Sequence, residues 1–188
     1  MKHLVIIQSL FYLAAKLGKS VSKLQLLKLM YFSDKLHLIK YGRTISGDHF
    51  VAMLLGPLGS TTYDVLKSNT NPEDHKEFGS LFSKTGSDSF AAKKKLSEVK
   101  LDWLSVTNKE VLNTILDIFG GEDAISLSAY SHTYPEWFKH ESDFKTGVVR
   151  VKKISTTELF SISSVKERLP IKKEDLVQAK TIYSESCL

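Results

Sequence analysis

The run of residues 23–67, KLQLLKLMYFSDKLHLIKYGRTISGDHFVAMLLGPLGSTTYDVLK, constrains the fold more than any other part of the chain. Ser22 stands three residues before Gln25, the spacing of a capping box that opens a helix. Leu26, Leu29, Met30, Phe32, Leu36 and Ile39 then recur at helical spacing until Gly42 stops the element. Leu24, Leu27, Tyr31 and Leu38 widen the apolar stripe, so this helix is expected at the centre, buried on most sides. Ser46-Gly47-Asp48 has turn chemistry. Residues 49–55 form a short apolar stretch that suits a strand or a helical turn equally. Gly56-Pro57-Leu58-Gly59 is expected to break it as a turn, because Pro57 disfavours a helical residue before it and Gly56 tolerates unusual backbone angles. Ser60 or Thr61 should cap a following helix that carries Tyr63, Val65 and Leu66.

The remaining elements are read the same way. Residues 2–17 have apolar positions Leu4, Ile7, Phe11 and Ala14 at helical spacing, interrupted by Gln8 and Ser9 and followed by Lys16 and Gly18. That pattern predicts a structured helix rather than a cleaved signal. Residues 69–100 have the least periodicity, and a hairpin is expected with residues 78–82 and 90–92 flanking Thr85-Gly86-Ser87-Asp88. Thr107 and Glu110 have capping-box spacing for a helix over 108–119 that buries Val111, Ile115 and Phe119 and ends at Gly120-Gly121. A short helix over 123–130 follows. Thr133 and Glu136 repeat the capping-box spacing around Pro135, which fits a first helical turn. Residues 148–151 read as a strand, and 174–183 as a last helix with Leu176, Ala179 and Tyr183 on one face. The fold class is therefore mainly α (α+β): a compact bundle of about six helices with a small β-sheet or hairpin, in one domain covering 1–188.

Composition narrows the function classes. With 188 residues, 42% apolar and 25% charged, the chain has the makeup of an ordinary globular protein. No apolar run reaches the ~18–20 residues that span a bilayer, so no membrane partner is expected. The one cysteine, Cys187, excludes an internal disulfide and fits a reducing compartment, the cytoplasm. The six histidines show no HExxH spacing or pairing with cysteine, so neither a metal nor a cofactor is expected. No GxSxG, GxGxxG or Walker pattern is present, which argues against an enzyme. The net charge of +5 permits anionic partners without requiring them.

The order and spacing of Lys28, Leu29, Tyr31, Asp34, Gly42, Ile45, Asp48, Ala52, Met53, Gly56, Pro57 and Tyr63 closely resemble the Panacea domain, the SocA/GepA-like antitoxin family. A second block, Ser131-His132 followed by Trp137, matches the family's downstream Ser/Thr-His and Trp. The chain departs from the family pattern in carrying Leu58 and Gly59 after Pro57. The resemblance implies an antitoxin that neutralises a cognate protein toxin, encoded by a neighbouring gene, through direct binding. It implies a non-enzymatic role and leaves homo-oligomerisation open.

The motif residues are of types that serve a scaffold as well as a partner contact, with Gly42, Gly56 and Pro57 shaping backbone and Asp34 and Asp48 suited to satisfying local donors. Toxin contacts are expected instead on the irregular region 69–104, with Phe78, Phe82, Phe90 and Trp103 as aromatic anchors. Two alternatives come from other classes: a nucleic-acid-binding autoregulator, not favoured because the best-defined helix is so apolar, and a protease adaptor using the tail Ser184-Glu185-Ser186-Cys187-Leu188.

Overall fold

The computed structural model describes residues 2–186, so Cys187 and the very end of the tail lie outside the described residues. Helix α1 (Lys2–Leu17) ends at Gly18, whose φ of 63° is left-handed, and it buries Ile6, Ile7, Leu10, Phe11, Leu13 and Ala14. A short strand β1 (Val21–Ser22) leads into α2 (Lys23–Tyr41). The Ser22 hydroxyl accepts from the Gln25 backbone N–H at 3.1 Å. The Gln25 side chain does not complete the box; it donates to the Glu122 carbonyl at 2.7 Å. At the other end Gly42, at φ 69°, donates its N–H to the Leu38 carbonyl at 2.8 Å. Every residue from Gln25 to Ile39 is buried, because α1, α3, α5, α6, α9 and β3 surround this helix.

After α2 come β2 (Phe50–Met53), β3 (Gly56–Gly59) and α3 (Ser60–Lys67). The Gly-Pro segment is thus a strand and not the turn expected from sequence. The turn sits one step earlier, at Leu54-Leu55, and β3 pairs antiparallel with β2 through Ala52↔Pro57 and Met53↔Gly56. Proline is tolerated there because β3 is an edge of the sheet, where a missing N–H need not break a ladder. Helix α4 (Pro72–Leu81) occupies ground expected to be irregular, and it contains Phe78. The hairpin β4 (Phe82–Gly86) and β5 (Ser89–Ala92) follows, close to the expected place, with β1 pairing on β5.

Helix α5 (Val106–Phe119) starts two residues before the expected position. Its cap is Ser105, whose hydroxyl accepts from the Asn108 N–H at 3.1 Å, and not Thr107, which lies inside the helix. Helix α6 (Ala124–Ser131) is capped by Asp123. The four-residue α7 (Pro135–Phe138) begins at Pro135, but Tyr134 is its cap; the Thr133 hydroxyl turns back to the Tyr130 carbonyl. Helix α8 (Glu141–Lys145), strand β6 (Val151–Ile154) and helix α9 (Lys173–Ser186) complete the order. Strand β6 joins the second sheet, whose order is β3-β2-β6. The fold is mainly α, with two small three-stranded antiparallel sheets. Among the described residues no helix is long and apolar enough to cross a membrane.

One hydrophobic core runs through these elements. Phe32 of α2 stacks on Phe119 of α5, with ring centroids 4.7 Å apart, and Tyr130 and Tyr134 close around them.

Candidate functional site: a braced hairpin turn

Lys28, Gly56, Pro57, Ser131, His132 and Trp137 of the motif converge on the β2–β3 hairpin. Below it, α2 contributes Lys28, Tyr31 and Lys35, spaced i, i+3 and i+7 on one face. From the side come α6 and α7. Three carbonyls of the hairpin are held from these elements. The Trp137 indole N–H donates to the Met53 carbonyl at 2.7 Å, the Ser128 hydroxyl to the Leu55 carbonyl at 2.8 Å, and the Lys28 ammonium to the Pro57 carbonyl at 2.9 Å. A hairpin turn would ordinarily leave such carbonyls to water; here side chains fix them.

Gly56 permits this approach. Its φ is 101°, and a β-carbon there would lie 2.3 Å from Ser131 Oγ and 2.6 Å from Lys28 Nζ. No side chain fits between the strand and its supports. His132 lies flat on Trp137, with centroids 3.5 Å apart and planes 3° apart, and Phe144 also stacks on Trp137. Burial pulls the Lys28 pKa down to about 7. Burial, with the nearby Lys28 charge, pulls that of His132 down to about 4, so the imidazole stacks as a neutral ring near pH 7.

A second cluster anchors α7. The Lys35 ammonium, fully buried, donates to Glu136 Oε1 at 2.7 Å, to the Leu159 carbonyl at 2.8 Å and to Ser161 Oγ at 3.0 Å. The Tyr31 hydroxyl donates to the same Glu136 oxygen at 2.6 Å, and Lys35 also sits 4.2 Å above the Tyr134 ring. A buried charge is tolerable only when paired and hydrogen-bonded, and this one meets both conditions. The network ties α2, α7 and the 156–160 turn together and so sets where Trp137 stands.

Asp34 and Asp48 shape the entry to the hairpin. Asp34 accepts from the Ser46 N–H at 2.8 Å and the Ser46 hydroxyl at 2.7 Å. Burial raises its pKa to about 7, with the Ser46 bonds opposing that rise. Asp48 accepts from the His49 and Thr61 N–H groups on one oxygen, and from the Thr62 N–H and hydroxyl on the other, all within 2.7–2.8 Å. It therefore caps α3, a task assigned from sequence to Ser60 or Thr61.

Leu29, Ile45 and Ala52 are buried in the core, and Gly42 holds the C-terminus of α2. The motif is thus mostly interior. What it exposes is the turn itself, with Leu54 at 62% and Leu55 at 51% exposure. Beside the turn runs a groove of ≈ 450 Å³ lined by Leu24, Leu27, Met53, Leu58 and Tyr63, with Lys67 at its rim. The expected aromatic anchors lie elsewhere. Phe82 and Phe90 are buried, and Phe78 stacks on Phe82 at 4.3 Å; together with Phe11 they form the seam between the β4–β5 hairpin and α1. Trp103 is exposed.

Sequence reasoning assigned no role to Lys35 or Tyr134, left Ser128 within the second motif block without a task, and paired Glu136 with Thr133 as a cap, whereas Glu136 accepts from Tyr31 and Lys35. A usable signal was present for Lys35: a lysine in an apolar helix, seven residues after Lys28, on the face that also carries Tyr31. Among the described residues no group of three or more His, Cys, Asp or Glu side chains is placed to hold a metal ion.

Fold and site together define a helical scaffold that braces one exposed apolar turn from within. A family model described as "Antitoxin SocA-like, Panacea domain" matches residues 26–138, which contain α2, the braced hairpin and Trp137. The chain belongs to this antitoxin-like family. No curated protein and no solved structure matches it.

Proposed function

We propose that this protein is an antitoxin that neutralises a cognate protein toxin by direct, non-enzymatic binding, acting as one domain over 1–188. The contact surface is the Leu54-Leu55 turn with its neighbouring apolar groove. The reading rests on one observation above all: Lys28 and Trp137 of the family motif, together with Ser128, hold three carbonyls of a hairpin whose two turn side chains are leucines facing solvent. An exposed apolar pair on a preorganised backbone lowers the ordering cost of association. Tyr63 and Met53, half-buried on the groove wall, supply the aromatic and flexible surface that anchor sites use. Trp103 is a candidate for a second contact on region 69–104.

Co-expression with the neighbouring reading frame tests the reading. If that frame alone arrests growth, and this chain restores growth and co-purifies with its product, the antitoxin role holds. A harmless neighbour that leaves this chain unbound contradicts it.

A further inference from the structure

A second concave surface shares no lining residue with the groove beside the leucine turn. It is a cleft of ≈ 490 Å³ with a floor of alanines, Ala14 and Ala15 of α1 and Ala91 and Ala92 of β5. Its walls carry Lys19, Lys93, Lys94 and Lys95, and Lys19 also borders an adjoining depression that holds Lys16. Five lysines from two separate stretches of chain thus form a band across two depressions that share Lys19.

Several lysines of this protein are paired with acids, as Lys23 is with Asp88, Lys40 with Glu110 and Lys139 with Glu158. Among the described residues Lys16, Lys19, Lys94 and Lys95 form no ion pair. Lys93 donates to the Gly79 carbonyl at 2.6 Å and so stands fixed at the wall. Two acids border the band. Glu98 is occupied in accepting the Lys95 backbone N–H at 3.0 Å, and Asp117 lines the far depression.

We infer that this band binds the sugar–phosphate backbone of duplex nucleic acid, independently of the toxin-binding reading. The side-chain types choose among anions. Lysine is a flexible point charge that meets phosphates without geometric selection, whereas specific reading of base edges favours the planar arginine fork. No aromatic side chain lines the cleft, so it offers no stacking platform for single strands or for a free nucleobase. Protein partners concentrate their binding energy on aromatic and arginine anchors, and neither type lines it. What remains is charge neutralisation by counterion release, which is strong at low salt and indifferent to sequence.

The test is fluorescence anisotropy with a labelled duplex DNA of arbitrary sequence and about 25 base pairs, long enough to span the band, titrated at several salt concentrations. Binding is expected to weaken steeply with salt. The K19A/K94A/K95A variant, with circular dichroism unchanged, should bind with a log–log salt slope shallower by roughly 2–3, since each phosphate contact contributes about 0.9. A K166A/K172A/K173A control, which removes three lysines outside both depressions, should keep the full slope. The inference is overturned if the duplex does not bind at about 50 mM salt, or if the band variant binds unchanged. It is equally overturned if the control loses as much, if a single strand of the same length binds more tightly, or if polyglutamate of equal charge displaces the duplex on equal terms.

Discussion

Gly59 and Asp48 are in direct steric register: a β-carbon on Gly59 would stand 2.3 Å from Asp48 Oδ2 and 2.7 Å from its Cγ. The backbone of Gly59, at φ −81° and ψ 127°, is open to any residue, so the carboxylate alone demands glycine there. Asp48→Ala should cost ~2–4 kcal/mol, since it deletes a charged cap with four accepted hydrogen bonds. Gly59→Ala should cost ~1–3 kcal/mol through overpacking. The double variant should be more stable than the sum of the two costs implies by at least ~1 kcal/mol, because loss of the Asp48 carboxylate vacates the space that the new methyl group needs. Urea unfolding of the four proteins checks this; strict additivity would show that the contact does not govern Gly59.

Gly56→Ala is the more damaging glycine change. Here the left-handed φ of 101° and the contacts with Ser131 and Lys28 oppose a methyl group together. A loss of about 2–4 kcal/mol is expected. Partner affinity should fall beyond what the unfolded fraction accounts for, since the Leu54-Leu55 turn would move. Binding measured well below the melting temperature separates the two effects.

Lys28 and Asp34 give pH dependence of opposite sign. The folded Lys28 releases its proton near pH 7, whereas the unfolded chain holds it to about pH 10.5. Between those values the unfolded state binds more protons, so this group makes stability rise with pH. Asp34 is protonated up to about pH 7 when folded but only to 3.8 when unfolded, so its contribution falls as pH rises through that interval. Urea midpoints of Lys28→Met, compared with the parent from about pH 7 to 10, should lack part of the alkaline rise. Those of Asp34→Asn, compared from about pH 4 to 7, should lack part of the fall that the parent shows there. Parallel curves for parent and variant would contradict the assignment.

Phe82 and Trp103 separate core from surface in region 69–104. Phe82 is buried between Phe11, Phe78 and Phe90, and Phe82→Ala should cost ~3–5 kcal/mol. Trp103 is exposed, and Trp103→Ala should change stability by less than about 1 kcal/mol. Thermal melts check both. Weakened toxin binding by the stable Trp103 variant would identify a second contact on this region, and unaltered binding would confine recognition to the leucine turn.

Local signals predicted local structure well. Ser22 and Gly42 bound α2 as their chemistry demands, and the apolar residues around that helix foretold its central position. Helix α4 was equally legible in Asn71-Pro72-Glu73-Asp74, a cap, a first-turn proline and two acids at the positive end of a helix, but residues 78–82 were read as one arm of the hairpin around Thr85-Gly86-Ser87-Asp88, and Phe78 to Leu81 lie in the helix. Gly56-Pro57 misled because both residues favour turns, and only the sheet order shows that they form an edge strand. The residues that brace the hairpin were partly marked, but their pairings were not legible. Trp137 and Met53 are 84 residues apart, and Lys35 and Glu136 are 101 apart, so no spacing rule links them. Ranking Phe82 and Phe90 as contact residues followed from weak periodicity, which marks short elements as readily as open loops.

The braced turn at Leu54-Leu55 is the surface we propose for toxin binding. The most direct measurement is the affinity of the Leu54→Asp/Leu55→Asp double variant for the toxin, by titration calorimetry, alongside its urea unfolding curve. Both side chains are exposed, so stability should stay within about 1 kcal/mol of the parent. Affinity should fall by at least roughly tenfold, about 1.4 kcal/mol, and rescue of growth should fail. A folded double variant that binds and rescues like the parent would contradict the account.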